Sequence, residues 1–287
     1  MSTTWHDPVA GELASRLAAA GFHVRALTPF DGDQRHRSWR AETRDGPALW
    51  AKAERSASVV AGVRREAAML RFLCGTDLVP QLIMHGTLAS GVPYLVTREA
   101  AGTPLPAGSQ PALLAAIAVA LQRFGALARL CTAAAHPGQD LFGVQPDLAA
   151  LLSPALTWLR GQDIITAAEQ VQFEQRGYPF EPAVLVHGSF HPANVIATPH
   201  GAVTLIDLEA TRIGPASFDV ASMAGGLIAD GAAGTAQNWV AHAMAAMNLP
   251  ARNIVAYLAL RTWHRSQADV LTPTEQSALA ALIRELS

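Results

Sequence analysis

Lysine is almost missing from this chain. Of its 21 basic residues only Lys52 is a lysine, so any chemistry that needs a compact ammonium falls to that one residue. Cysteine is nearly as scarce. The two present, Cys74 and Cys131, each lie in an apolar helical pattern, and no Cys/His cluster has zinc spacing. Buried free thiols in a reducing, cytoplasmic setting are therefore expected, in preference to a disulfide or a metal site. Long apolar runs are missing too. The longest, Leu113 to Leu121, is stopped by Gln122-Arg123, so no membrane span is expected. The first seven residues have neither a basic start nor an apolar core, and no signal peptide is visible. Charge of one sign is also lacking. The net charge is −2, which gives no reason to expect nucleic acid or membrane as a partner. With 50% hydrophobic and 15% charged residues, the chain has the composition of a folded protein with a large core.

What is present is concentrated in two stretches. Leu185-Val-His-Gly-Ser-Phe-His-Pro-Ala-Asn-Val-Ile196 opens as an apolar strand from Ala183 to Val186 and breaks at His187-Gly188. Val203-Thr-Leu-Ile-Asp-Leu-Glu209 follows after the hairpin signal Pro199-His200-Gly201. The spacing predicts strands over Asn194 to Ala197 and Val203 to Leu208. It sets the loop bearing His187, Ser189, His191 and Asn194 beside a strand end bearing Asp207 and Glu209. An amide oxygen and a carboxylate so placed suit Mg²⁺, a hard cation that shares its oxygen ligands with phosphates.

These residues resemble the phosphotransferases that include aminoglycoside, choline and homoserine kinases, relatives of the protein kinases. The family pattern is His-Gly-Asp, then His-Pro-Gly-Asn, then a strand ending Ile-Asp-(Phe/Trp)-Glu. This chain has His187-Gly188-Ser189, His191-Pro192-Ala193-Asn194 and Ile206-Asp207-Leu208-Glu209. Ser189 stands where the family has its catalytic Asp. The resemblance runs from about Val24 to Val220. It implies a bilobal, protein-kinase-like α+β fold with a five-stranded antiparallel N-lobe carrying one helix, over 1–101, and a mainly helical C-lobe over 102–287. It implies ATP and Mg²⁺ as the nucleotide and metal. Asn194 and Asp207 are the implied metal ligands. Glu209 either adds a ligand, contacts the acceptor or is exposed. His187 orients the loop backbone, and Asp219 resembles the Asp that braces it, although a helix-start carboxylate would look the same.

Read in order, the chain fits that plan. Asp7-Pro8 caps a helix whose apolar face is Val9, Leu13, Leu17 and Ala20, closing at Gly21. Strands are predicted over His23 to Leu27, Arg37 to Thr43, Ala48 to Glu54, Leu82 to Leu88 and Val92 to Thr97. Asp45-Gly46 and Ser90-Gly91 serve as turns. The first connection, Thr28 to His36, is either an ordinary loop or the segment that lies over ATP phosphates in the family. The helix predicted from Ala57 to Cys74 puts Val59, Val63, Glu66, Leu70 and Leu73 on one stripe. Glu66 then needs a partner. Lys52, on one strand face with Trp50 and Glu54, is favoured over Arg64, Arg65 or solvent, because an unpaired buried charge is costly. In the kinase-like fold such a Lys–Glu pair orients the phosphates.

Arg98 to Gly102 breaks the strand pattern and begins the hinge, where backbone groups from Glu99 to Ala101 would meet the adenine. Helices are then predicted over Pro111 to Ala135, Leu148 to Arg160 and Asp163 to Gln175. After the two site stretches they continue over Ala216 to Ala229, Gly234 to Met247 and Asn253 to Ala268. Thr272-Pro-Thr-Glu275 is a capping box for the last helix. Trp158, Trp239, Trp263 and His264 either line an acceptor pocket or pack in the core. Residues 1–134 carry +4 and the remainder −6, a division that suits an anionic nucleotide on one side and a metal or cationic acceptor on the other, or is simple surface drift.

Ser189 separates two functions. A hydroxyl cannot take a proton as a carboxylate does. The chain is then either a phosphotransferase acting on a small-molecule or peptide hydroxyl, with Ser189 in the base position and His191 or Glu209 as substitute base, or a nucleotide-binding pseudokinase. The acceptor and the oligomeric state are not legible.

Overall fold

The structure is a computed structural model that describes residues 7–30, 36–56, 62–129, 148–175 and 177–287. Gly32, Arg35, Val59, Cys131 and the ends predicted for the second and third helices lie outside the described residues. The architecture is α+β. The chain forms two compact units, Met1–Ala101 with Thr204–Ala210, and Gly102–Val203 with Thr211–Ser287.

The first unit is built on an antiparallel sheet of β1 (Val24–Phe30), β2 (His36–Thr43), β3 (Leu49–Glu54), β4 (Leu82–Thr87) and β5 (Pro93–Arg98), in the order β1-β2-β3-β5-β4. The five strands arise where the period-2 pattern predicts them. The β4–β5 turn closes at Gly91, whose φ of 82° is a conformation glycine adopts without a Cβ penalty. Helix α1 (Pro8–Ala19) starts as expected: Val9 donates its amide to Asp7 Oδ1 at 2.9 Å, with Pro8 in the first turn. Its buried stripe is Ala10, Leu13, Ala14 and Leu17; of the predicted face Leu13 and Leu17 are buried and Val9 packs at the edge, but Ala20 is exposed. That stripe packs on Leu27, Trp39, Ala41, Leu49, Ala51 and Val96, so one sheet face is dry and belongs to the core.

The other face of β3 carries Trp50, Lys52 and Glu54. Helix α2 (Gly62–Phe72) lies by it and buries Val63, Glu66, Ala67, Met69 and Leu70. The helix stops before Cys74, and Gly75 turns the chain at φ 86°. Cys74 is therefore an exposed free thiol, which corrects the expectation of a buried one. The segment Thr204–Ala210 belongs to this unit: Leu205 donates to the Leu78 carbonyl at 2.7 Å, and α2 packs on the 3-10 turn Leu208–Ala210.

In the second unit, β6 (Thr103–Pro104) pairs with β8 (Val195–Ala197), and β7 (Ala183–Val186) pairs antiparallel with β10 (Arg212–Pro215). Neither β6 nor β10 is expected from the sequence. Gly102 precedes β6 with φ 117°, and a Cβ there would sit 2.3 Å from the Ala197 carbonyl oxygen, so only glycine fits. The hairpin turn after β8 forms as predicted, Gly201 donating to the Thr198 carbonyl at 3.0 Å. The chain then returns to the first unit within β9 (Val203–Leu205).

The helices of this unit are α3 (Pro111–Ala126), α4 (Leu148–Gly161), α5 (Ala167–Gln175), α6 (Ala216–Ala229), α7 (Ala233–Met247), α8 (Ala251–Ser266) and α9 (Pro273–Leu286). Helix α5 begins later than the predicted Asp163. Asp163 sits at φ 56°, and the first turn is instead closed by Thr166 and Glu169, each accepting the other's amide, at 3.2 and 2.6 Å. The capping box of α9 is present at Thr272 and Glu275. Helix α6 is buried almost all round, between α7 and α8. Its alanines and glycines allow that closeness. A Cβ on Gly226 would meet Pro192 Cδ at 2.7 Å, so the helix touches the loop that carries the second motif. Among the described residues, no helix is long and apolar enough to cross a membrane.

Candidate active site

Strand β3 is flanked by β2 and β5, with Lys52 opposite Ser38 and Leu95, so the backbone beneath the lysine is fixed on both sides. Its Nζ lies 2.9 Å from Glu66 Oε2, 2.6 Å from Asp207 Oδ1 and 3.7 Å from Glu209 Oε2. Lys52 and Glu66 are both buried. The pairing argued from the helix stripe is thus present, and Asp207 joins it. Burial alone would depress the Lys52 pKa; Glu66, Asp207 and Glu209 together outweigh that and raise it, which keeps the ammonium charged. Burial pushes Glu66 up, and Lys52 offsets this only in part. Glu209 is also pushed up by burial, but its hydrogen bond from His36 and the charge of Lys52 prevail and hold it below the usual carboxylate range.

Asp207 is not at a strand end. Strand β9 stops at Leu205, and Asp207 adopts φ 62°, a left-handed conformation that Asp tolerates better than most residues. The bend points its carboxylate at Lys52 and starts the 3-10 turn that holds Glu209. Two residues missed by sequence reasoning complete the cluster. His36, predicted as part of a loop, is the first residue of β2 and is buried. Its Nε2 lies 3.1 Å from Glu209 Oε2 and 3.5 Å from Glu54 Oε2. The available signal was Glu54, a carboxylate two residues beyond Lys52 on the same strand face, which needs a partner for the reason Glu66 does.

The predicted hinge residues are less engaged. Glu99 accepts a two-pronged ion pair from Arg40, Nε at 2.7 Å and Nη2 at 3.0 Å, so its side chain braces the sheet. Ala101 is exposed.

In the second unit the motif loop hangs on Asp219. Its Oδ2 accepts the His187 amide at 2.6 Å and its Oδ1 the Gly188 amide at 2.9 Å. Gly188 has φ 81°. The Ser189 amide points to His187 Nδ1 at 3.4 Å, and Asn194 Nδ2 donates to the Ser189 carbonyl at 2.9 Å. That bond turns the nitrogen end of the Asn194 amide inward and its oxygen, the end a cation could use, the other way. Ser189 and His191 are half-buried. His187 packs against Phe190 and Phe124, and Phe190 against Trp239, whose Nε1 donates to the Val220 carbonyl at 3.0 Å. Trp239 is therefore core. Trp158 and Trp263 are half-buried and His264 is exposed. A cavity of about 370 Å³ lies by α3 and β7, lined among others by Leu121, Gln122, Arg129, Glu181, Val184 and Asp219; it touches none of Ser189, His191 and Asn194.

Burial pushes the Asp219 carboxyl up to about 6, against the pull of its two backbone donors. A carboxyl raised from 3.8 in the unfolded chain contributes stability that is complete below pH 3.8 and lost as pH rises through 6. The loss is on the order of 3 kcal/mol at one unit per 1.36 kcal/mol. Asp219→Asn removes this titration and one acceptor. Denaturant unfolding should find the variant gaining on the wild type as pH rises from about 4 to 7.

The model of the phosphotransferase enzyme family matches residues 26–267, and the chain belongs to that family. Comparison with curated proteins finds no match. Among solved structures, aminoglycoside 2'-phosphotransferase-IIIa in its GDP complex has a TM-score of 0.65 at 14% identity, over 97% of this chain and 97% of that one. A thermostable mutant of aminoglycoside phosphotransferase APH(4)-Ia, in its apo form, has 0.63 at 16%, over 96% and 98%. Macrolide 2'-phosphotransferase MphH from Brachybacterium faecium has 0.61 at 15%, over 94% and 96%. The fold is the kinase-like fold of these phosphotransferases.

Proposed function

We propose that the protein transfers the γ-phosphoryl group of ATP to a hydroxyl of a small molecule. The observation that carries this reading is the lone lysine held between Glu66 at 2.9 Å and Asp207 at 2.6 Å. A buried ammonium fixed from two sides is preorganised for phosphate oxygens, and phosphoryl transfer draws its catalysis mainly from positioning and charge neutralisation. The acceptor class is taken from the enzymes of like fold, which act on aminoglycosides and macrolides, with an amicoumacin kinase among them.

The donor chemistry fits Mg²⁺. The cluster gathers the carboxylates of Glu54, Glu66, Asp207 and Glu209 around one ammonium and one imidazole, a negative excess that suits a divalent cation. No three His, Cys, Asp or Glu among the described residues form a metal group by themselves. Mg²⁺ needs none, since it takes one or two carboxylates and completes its shell with phosphates and water. Asp207, Glu209 and Asn194 are the candidate ligands, and the bound ion would offset charge on the β- and γ-phosphates. In the transfer the bond from the γ-phosphorus to its bridging oxygen breaks as a bond to the acceptor oxygen forms. ADP leaves, and the hydroxyl proton passes to a base. Lys52 would steady the phosphates, Glu66 would aim Lys52, and backbone groups at Glu99 to Ala101 would hold the adenine. His191 or Glu209 would take the proton that Ser189 cannot.

Ser189 also favours a second reading, a pseudokinase that binds nucleotide without turnover. Melting temperature with ATP, with and without Mg²⁺, tests what both readings share. A rise that requires both is expected, and no shift with any nucleotide removes both. Turnover against a panel of hydroxyl acceptors then separates them: phosphorylation of any acceptor removes the pseudokinase.

A further inference from the structure

We propose that His36 is a positioning residue of the phosphate-binding cluster, holding the Glu209 carboxylate beside Lys52 and linking it through Glu54 to the helix that carries Glu66. The inference rests on the reading of Lys52 as a phosphate ligand and adds a residue to that site.

The geometry is a closed ring within the first unit. The Val63 amide, in the first turn of α2, donates to Glu54 Oε1 at 2.9 Å. The other oxygen of Glu54 faces His36 Nε2 at 3.5 Å, and the same nitrogen reaches Glu209 Oε2 at 3.1 Å. Glu209 lies 3.7 Å from Lys52 Nζ, and Lys52 returns to α2 through Glu66 at 2.9 Å. The ring therefore leaves and re-enters the same helix, and it passes through β2, β3 and the 208–210 turn. His36 and Glu54 face each other across the β2–β3 ladder, so the backbone fixes their approach.

A buried histidine is commonly a satisfied core residue. Here its one nitrogen meets two carboxylates, Glu54 and Glu209, at the point where the ring brings them together. Like charges so close repel. With the imidazole gone, Glu209 would turn away and Lys52 would lose its third flank. Gly62 supports this. A Cβ there would lie 2.7 Å from Glu209 Oε2 and 3.1 Å from His36 Nε2, so the start of α2 is kept bare where the pair sits.

The test is calorimetric titration of the full chain with Mg-AMP-PNP, and with adenosine, which has no phosphates. Wild type, His36→Leu, His36→Gln and Gly62→Ala are compared. A glutamine can present an N–H near the place of Nε2; leucine cannot. Loss of the imidazole that faces the two buried carboxylates should weaken Mg-AMP-PNP binding about tenfold or more in His36→Leu. His36→Gln should recover to within about threefold of wild type, since it restores the donor. Gly62→Ala should weaken binding in the same direction by displacing the carboxylate. Adenosine binding should be the same in all four proteins.

Affinity of His36→Leu within twofold of wild type overturns the proposal. So does a glutamine variant no better than leucine, or an equal loss with adenosine, either of which makes the histidine a packing residue. If His36→Leu does not fold, Gly62→Ala decides, and undiminished affinity there overturns the proposal. A wild type that binds no Mg-AMP-PNP overturns the phosphotransferase reading, and this inference with it.

Discussion

Lys52→Ala should abolish the Mg-ATP-dependent rise in melting temperature and cut phosphoryl transfer by about 10²–10³-fold, the usual effect of deleting one preorganised electrostatic donor. The cost does not stop at function. Glu66 and Glu209 would be left facing Asp207 across the space of the lost ammonium. Breaking a buried ion pair from one side destabilises by about 3–5 kcal/mol. That loss should be largest at neutral pH and shrink in acid, where the orphaned carboxylates take up protons. Lys52→Arg should not rescue, because a planar fork cannot meet Glu66 and Asp207 from the 2.9 and 2.6 Å positions of a point-like ammonium. Melting curves with and without nucleotide, and a turnover assay, read both effects. A Lys52→Ala protein that keeps its nucleotide-dependent stabilisation would sink the assignment.

The second large effect runs the other way. Ser189→Asp should raise turnover by about 10²–10⁴-fold, the contribution typical of a general base, and leave the KM for ATP nearly unchanged. The loop is prepared to hold such a residue. Asp219 anchors the two amides before it, and Asn194 grips the carbonyl of residue 189 itself. The new carboxylate would thus stand on an unaltered backbone. If the variant gains nothing while the wild type turns over, another group is already the base. If neither protein phosphorylates any acceptor, the second reading holds.

Much of this was legible in the chain. The five strands follow from period-2 runs and two turns, and the position of Glu66 on an otherwise apolar stripe was enough to demand a cation. Lys52 answers that demand across the sheet. What stayed hidden depends on contacts distant in sequence or on small backbone decisions. Strand β6 is two residues long and β10 begins with Arg212, so neither has a pattern; each exists only because a partner strand is beside it. His36 sat in a stretch rich in turn residues, and its burial comes from pairing with Glu54. Asp207 follows a β-rich apolar run and is therefore expected at a strand end, whereas the chain bends there into the left-handed region. Helix α5 starts at Ala167, four residues after Asp163, because the Thr166–Glu169 box closes its first turn, a signal present in the sequence.

The scarcity of lysine has a practical outcome. This chain offers acylating reagents a single ε-amine, and it is sealed among acidic neighbours that keep it protonated and unreactive. Acetic anhydride should therefore mark residue 52 only in molecules whose ring has opened, and mass spectrometry of one peptide would count them. One residue thus reports how often the charge cluster of this protein comes apart.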